Sequence, residues 1–134
     1  MARYLLDSHA FLWAKTDPGQ IGPQALAEIT DRTNRVYVSA AGLWELAIKS
    51  AAGKLAGLPR IAGQSSDALM EALRESGFDL LSIELPHVLI AARLPLYHRD
   101  PFDRVMIAQA QQENLVVVTR DGMFARYGVR VIQI

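Results

Sequence analysis

Cysteine is absent from the 134-residue chain, which excludes a disulfide framework and thiolate metal sites and fits a reducing compartment. An excess of either charge is absent as well. Fourteen Lys and Arg balance fourteen Asp and Glu, so no overall field draws the chain to nucleic acid or to a membrane surface, and any polyanion has to be gripped locally. No apolar run approaches the roughly 20 residues of a membrane span. The opening "MARYLLDSHAFLWAK" is interrupted by Asp7 and His9, where a signal peptide would stay apolar. These absences lead us to expect a cytoplasmic protein. What is present is apolar material, 51% of the residues, enough for one domain spanning residues 1–134 with a substantial core and no repeat or linker.

Short apolar runs alternate with helical spacing along the chain. "RYLLD" reads as a buried strand, "HAFLWA" as one or two helical turns, and "TDPGQIGP" as a break before a helix from Pro23. "RVYVS" is a second strand whose Ser39 caps "AAGLWELAIKSA", a helix with an apolar stripe at Ala41, Trp44, Ala47, Ile48 and Ala51. "GKLAGLPRIAGQ" reads as a loop, and Ser65 or Ser66 caps "DALMEALRES". "FDLLSIE" is a third strand and "PHVLIAARL" a short helix. "NLVVVT" and "VRVIQI" are the last two strands, with "RDG" as a turn after the first of them. Such alternation predicts an α/β fold, a parallel sheet covered on both faces.

"HRDPFDRVMIAQA" (98–110) sets two aspartates before an apolar helix. Pro101 suits the first helical position, which makes Asp100 the N-cap and places Asp103 in the first turn. Asp103 gains from the helix dipole, yet its root lies on a helix with little polar circumference, so its carboxylate is partly desolvated and needs a partner, a proton or a metal. In a parallel sheet the ligand crevice lies beyond the carboxyl ends of the strands. Asp7 closes the first strand there, and Asp121 lies just past the fourth. Glu45 belongs to the second turn of its helix, but helical side chains lean toward the N-terminus, and its i−4 and i−3 neighbours, Ala41 and Gly42, leave it room. Singly, each acid also reads as a turn residue or a solvated charge. Four in one crevice would repel one another, which raises their pKa values or calls for a counter-cation; for a cation, all-oxygen ligation favours Mg2+ or Mn2+, ions suited to phosphodiester hydrolysis.

Four segments in this order, "YLLDSHAFLW", "VSAAGLWELAIK", "HRDPFDRVMIAQA" and "VVVTRDGMFARYGVRVI", resemble the PIN-domain ribonucleases of the VapC toxin type over nearly the whole chain. The resemblance implies an α/β/α sandwich with a central parallel sheet and Mg2+- or Mn2+-dependent RNA cleavage. It also implies a catalytic and metal-holding quartet at Asp7, Glu45, Asp103 and Asp121, a cognate antitoxin as partner, and a homodimer.

Other residues enter as supporting candidates. Ser8, Ser39 and Thr119 lie at strand ends, where hydroxyls orient ligands or waters. Arg99, Arg104, Arg120 and Lys49 flank the acids as phosphate-binding candidates. His9, His87 and His98 make no HxxxH pair and read as loop, cap and packing residues rather than zinc ligands. Phe11, Leu12 and Trp13 read as core, or as anchors for a partner. Two alternatives stand beside the RNase reading: a non-enzymatic receiver-like signalling module, against which "LLDSH" offers only one acid after the first strand, and a PIN nuclease acting on DNA.

Overall fold

In the computed structural model, which describes residues 1–54 and 61–134, five parallel strands form one sheet in the order β3-β2-β1-β4-β5. These are β1 (Arg3–Leu6), β2 (Arg35–Ser39), β3 (Asp79–Leu81), β4 (Val116–Thr119) and β5 (Val131–Gln133). β1 is central because its apolar residues are buried on both faces. Leu6 pairs with Val38 on one side and Val118 on the other. The helices are α1 (Ser8–Thr16), α2 (Pro23–Thr30), α3 (Ala40–Ala51), α4 (Ser66–Glu75), α5 (Leu85–Arg93) and α6 (Pro101–Glu113).

Strand alternation divides the core. Tyr4, Leu6, Val36, Val38 and Val118 point to one face, where Phe11, Ile29, Leu43, Leu46 and Leu73 pack on them. Leu5 and Val117 point to the other, against Met106, Ile107, Ala110 and Phe124. The result is an α/β/α sandwich. From β1 the chain steps outward to β2 and β3, then returns through α5 and α6 to β4, so the strand order reverses between β1 and β4, where such sheets leave their crevice.

Local chemistry sets the helix ends around that crevice. Asp7 caps α1 by accepting from the amide of Ala10, and Ser39 caps α3 through Ala41. Asp100 caps α6 by accepting from Phe102 and Asp103, with Pro101 at the first helical position. Asn114, in the left-handed conformation at φ 55°, closes α6 and turns the chain into β4.

The main departure from the sequence pattern is on α3. Trp44 is 62% exposed and Ile48 49%, while Ala41, Gly42, Leu43, Glu45 and Leu46 are buried. Of the expected stripe Ala41 is buried and Ala47 half-buried, while Trp44, Ile48 and Ala51 are exposed, because this helix packs against both α1 and α6 through small residues and buries an acid whose charge is matched locally. α1 is longer than two turns and β3 shorter than "FDLLSIE". The loop expected from Gly53 to Gln64 lies partly outside the described residues, and at Ile61–Gly63 it forms a 3-10 turn. Further 3-10 stretches lie at Pro18–Gln20, within the expected break before α2, and at Gly122–Tyr127 after β4, the latter capped by Asp121. Among the described residues no helix is long and apolar enough to cross a membrane.

Candidate active site

Asp7, Glu45, Asp103 and Asp121 come from four separate elements and line one crevice of about 440 Å³, together with Asp100. Asp7 is one residue beyond β1 and Asp121 two beyond β4, at the strand-order reversal. Glu45 reaches in from α3, where Gly42 lies against Ser8 and the sulfur of Met106 and lets the helix approach α1 and α6 closely. Asp103 enters from the first turn of α6.

Each carboxylate has its own neighbours. Asp7, 5% exposed, accepts from the Ala10 amide at 2.8 Å and from the Thr119 hydroxyl, whose oxygen in turn accepts from the Asp121 amide at 2.9 Å. One threonine thereby ties the ends of β1 and β4 together. Glu45 accepts from Ser8 Oγ at 2.8 Å and from Lys49 Nζ at 2.9 Å. Asp121 Oδ1 accepts from the Met123 amide. His98 Nε2 stands 2.7 Å from Asp121 Oδ2 and 3.0 Å from Asp103 Oδ2.

Burial and crowding oppose ionisation here. Desolvation pushes the Asp7 carboxyl above the usual carboxylate range, although the hydrogen bonds from Thr119 and Ala10 pull it back in part. Asp103 is pushed up to about 7, first by burial and then by the charge of Asp100, against the opposing effect of His98. A group held so high protonates readily or binds a cation.

His98 is the neighbour of the acids that the histidine spacing concealed. Its Nδ1 accepts from the Asp100 amide at 3.3 Å, which leaves Nε2 as the donating nitrogen, aimed at Asp103 and Asp121. The signal in the sequence was its place in "HRDPFD", five residues before Asp103, rather than its distance from another histidine. His87 does perform the cap and packing roles: buried on α5, it accepts the Glu84 amide and contacts Glu113 of α6.

Several supporting candidates lie elsewhere. Ser39 Oγ bonds Gln109 Oε1 at 2.6 Å and the Ala41 amide, joining β2 to α6 away from the carboxylates. Ser8 and Thr119 touch the quartet directly. Arg104 is not available to a phosphate. Its guanidinium donates to the carbonyls of Ala91, Leu94, Pro95 and His98 at 2.8–3.1 Å, which closes the end of α5 and holds the segment that carries His98. Arg99 is exposed beyond the crevice lining, whereas Lys49 and Arg120 border it. Phe11 is a core residue and Leu12 packs on the same core, so of that apolar trio only Trp13 faces the crevice.

The donor set fits a hard divalent cation. Four carboxylates converge, and burial together with the charge of Asp100 raises one of them, Asp103, to about 7. His98, Asp103 and Asp121 also present ligand-type atoms within 4.8 Å of one another. Because the Asp100 amide holds Nδ1, we read His98 as a donor orienting two carboxylates, which leaves their remaining oxygens for the ion.

An α/β/α sandwich with an acidic crevice at the strand-order reversal defines the class. A PIN-domain family model matches residues 4–130, and the chain belongs to that family. Among solved structures, the chain is similar to FitAcB from Neisseria gonorrhoeae, at 25% identity and TM-score 0.62 over 97% of this chain and 96% of that one. It also resembles a DNA-bound VapBC from Salmonella typhimurium, at 20% identity and TM-score 0.67 over 99% and 98% of the two chains. VapBC-5 from Mycobacterium tuberculosis, a member of the VapBC family of toxin-antitoxin systems, aligns at 24% identity and TM-score 0.60 over all of both chains. No curated protein sequence matches significantly.

Proposed function

We propose that the chain is a divalent-metal-dependent endoribonuclease, the toxin of a toxin–antitoxin pair, acting in the cytoplasm as a single PIN domain. The observation that carries this reading is the convergence of Asp7, Glu45, Asp103 and Asp121 in one crevice, with Asp103 held near pKa 7 by burial and crowding. Membership of the PIN family supports it, and so do toxin–antitoxin complexes among the similar solved structures. A receiver-like module loses its ground with the family assignment.

In this mechanism Asp7, Glu45, Asp103 and Asp121 hold Mg2+ or Mn2+. A bound ion supplies positive charge for the scissile phosphate and lowers the pKa of water. Asp7 is fixed by Thr119 and Glu45 by Ser8 and Lys49, so the carboxylates need little rearrangement during turnover. His98 Nε2 stands between Asp103 Oδ2 and Asp121 Oδ2 and orients both carboxylates. Arg120 and Lys49, with Arg99 further out, remain the cations placed to meet phosphates. A small antitoxin is the expected partner, and a homodimer the expected assembly.

Two expected outcomes test the site. Mg2+ or Mn2+ at millimolar concentration raises the melting temperature of the metal-free protein, Asp7→Asn blunts the gain, and chelator arrests cleavage of single-stranded RNA. A melting temperature indifferent to both ions, with cleavage surviving chelator, removes the metal from the mechanism. Changing His98 to Ala lowers turnover roughly 10- to 100-fold, the usual effect of removing a residue that orients ligands. Turnover equal to that of the native chain would return His98 to a packing role.

A further inference from the structure

The crevice that gathers the acids has a second chemistry on one lip. His9, Trp13 and Arg120 border it beside Asp7 and Asp121. The Arg120 guanidinium lies 4.1 Å from the centroid of the Trp13 ring, and its Nη2 donates to the carbonyl and side-chain oxygens of Gln20 at 3.0 and 3.3 Å. The His9 ring adjoins the same indole, 5.6 Å between centroids and tilted by 36°. His9 and Arg120 are exposed and Trp13 partly buried, so the row is a fixed cation–aromatic surface open to solvent.

Electrostatics show why such a row matters. Asp7, Glu45, Asp100, Asp103 and Asp121 all face the crevice, against Lys49 and Arg120. Lys49 is bound to Glu45. Among the described residues Arg120 contacts neutral oxygens and a ring, and no carboxylate. With zero net charge the chain offers no long-range attraction to a polyanion, and the acids repel one until a metal is bound. Nucleic acid therefore needs a local grip beside the acids, and in the crevice lining the uncommitted cation sits on an aromatic platform.

We propose that Arg120, Trp13 and His9 form the subsite that binds the RNA strand next to the scissile phosphate: Arg120 engages a backbone phosphate, and the Trp13–His9 surface stacks an adjoining base. This assignment rests on the nuclease reading. A crevice of about 440 Å³ admits a nucleotide or so, and stacking on side chains takes unpaired bases, so the occupant is single-stranded. Stacking reads no base edge, so the subsite supplies affinity with little sequence preference.

The sequence contains two tryptophans, and Trp44 sits outside the crevice against Phe102. Trp44→Phe therefore leaves Trp13 as a lone fluorophore. In the full-length Trp44→Phe, Asp103→Asn protein with Mg2+, mixed-sequence single-stranded RNA is expected to quench that fluorescence saturably, and matched RNA duplex is expected to do so far more weakly. Adding Arg120→Ala raises the Kd roughly tenfold. In the otherwise native chain, Trp13→Leu raises KM for RNA cleavage roughly 10- to 100-fold with kcat little changed, while Trp13→Phe keeps KM near native. Cleavage with KM indifferent to Trp13→Leu and Arg120→Ala, or no quenching at RNA concentrations that saturate cleavage, overturns the subsite and leaves the nuclease standing. Quenching by RNA without cleavage by the native chain supports the subsite and overturns the nuclease. Single-stranded DNA, which offers the same phosphates and base faces, is expected to quench as well, and quenching by RNA alone would overturn phosphate contact and stacking as the basis of the subsite.

Discussion

Asp103→Asn abolishes cleavage, by about a hundredfold or more, and at the same time makes the metal-free protein more stable at pH 8. Both effects arise from one environment. The Asp103 carboxyl titrates near 7 in the folded chain and near its ordinary 3.8 when unfolded, so the native state binds the extra proton between those values. Stability of the metal-free protein therefore falls as pH rises from about 4 to about 7, and above 7 the destabilisation is fully present. Asparagine cannot ionise, and it removes that destabilisation, which is on the order of a few kcal/mol. The gain in melting temperature on adding Mg2+ to the native chain follows the same sign, larger at pH 8 than at pH 5. Asp100→Asn, three residues earlier, behaves differently. Asparagine caps a helix about as well as aspartate, so activity is largely kept. Thermal melts across pH with and without Mg2+, beside turnover of both variants, check the assignment. An inactive Asp100→Asn with an active Asp103→Asn would reverse it.

Arg104→Ala destabilises the protein by about 3 kcal/mol, the second large effect expected. Four backbone carbonyls share this guanidinium, and alanine leaves them without their donor at the junction of α5 and α6. Lysine does not rescue the loss, because a single ammonium cannot reproduce a planar fork spread over four acceptors. The segment released carries His98, which is also anchored where the Tyr127 hydroxyl accepts from its amide. Turnover therefore falls even at temperatures where the variant stays folded. Urea unfolding and the salt dependence of RNA binding tell this role from a phosphate contact. A phosphate contact would leave stability unchanged and flatten the salt slope.

The architecture was legible in the sequence because period-two and helical patterns are strong in buried strands and amphipathic helices, and caps such as Ser39 and Asp100 fix where helices begin. Asp7 and Asp121 were legible as neighbours because strand ends in a parallel sheet share one edge, and Asp103 and Glu45 because the helices that carry them start at that edge and their side chains lean toward it. Sequence spacing had less purchase on contacts between distant segments. His98 and Asp121 are 23 residues apart, and they meet through Nε2 and Oδ2 where Asp121 caps the 3-10 turn after β4. Arg104 stood beside an acid in sequence and resembled a phosphate ligand. Its acceptors are carbonyls at the C-terminal end of α5 and in the segment that follows it, which no local pattern announces. On α3, hydropathy favoured Trp44 and Ile48 over Glu45, because a buried acid with a serine and a lysine as partners looks the same in a sequence as a solvated one.

The most direct measurement is the chemistry of the ends left by the purified chain on labelled single-stranded RNA. If the acids activate water with a divalent ion, the products carry linear phosphomonoester ends. Cleavage then persists when the 2′-hydroxyl at the scissile position is replaced by hydrogen, and it disappears with chelator or with Asp7→Asn. A 2′,3′-cyclic phosphate formed in the presence of chelator, at a rate indifferent to Asp7→Asn, would contradict the account.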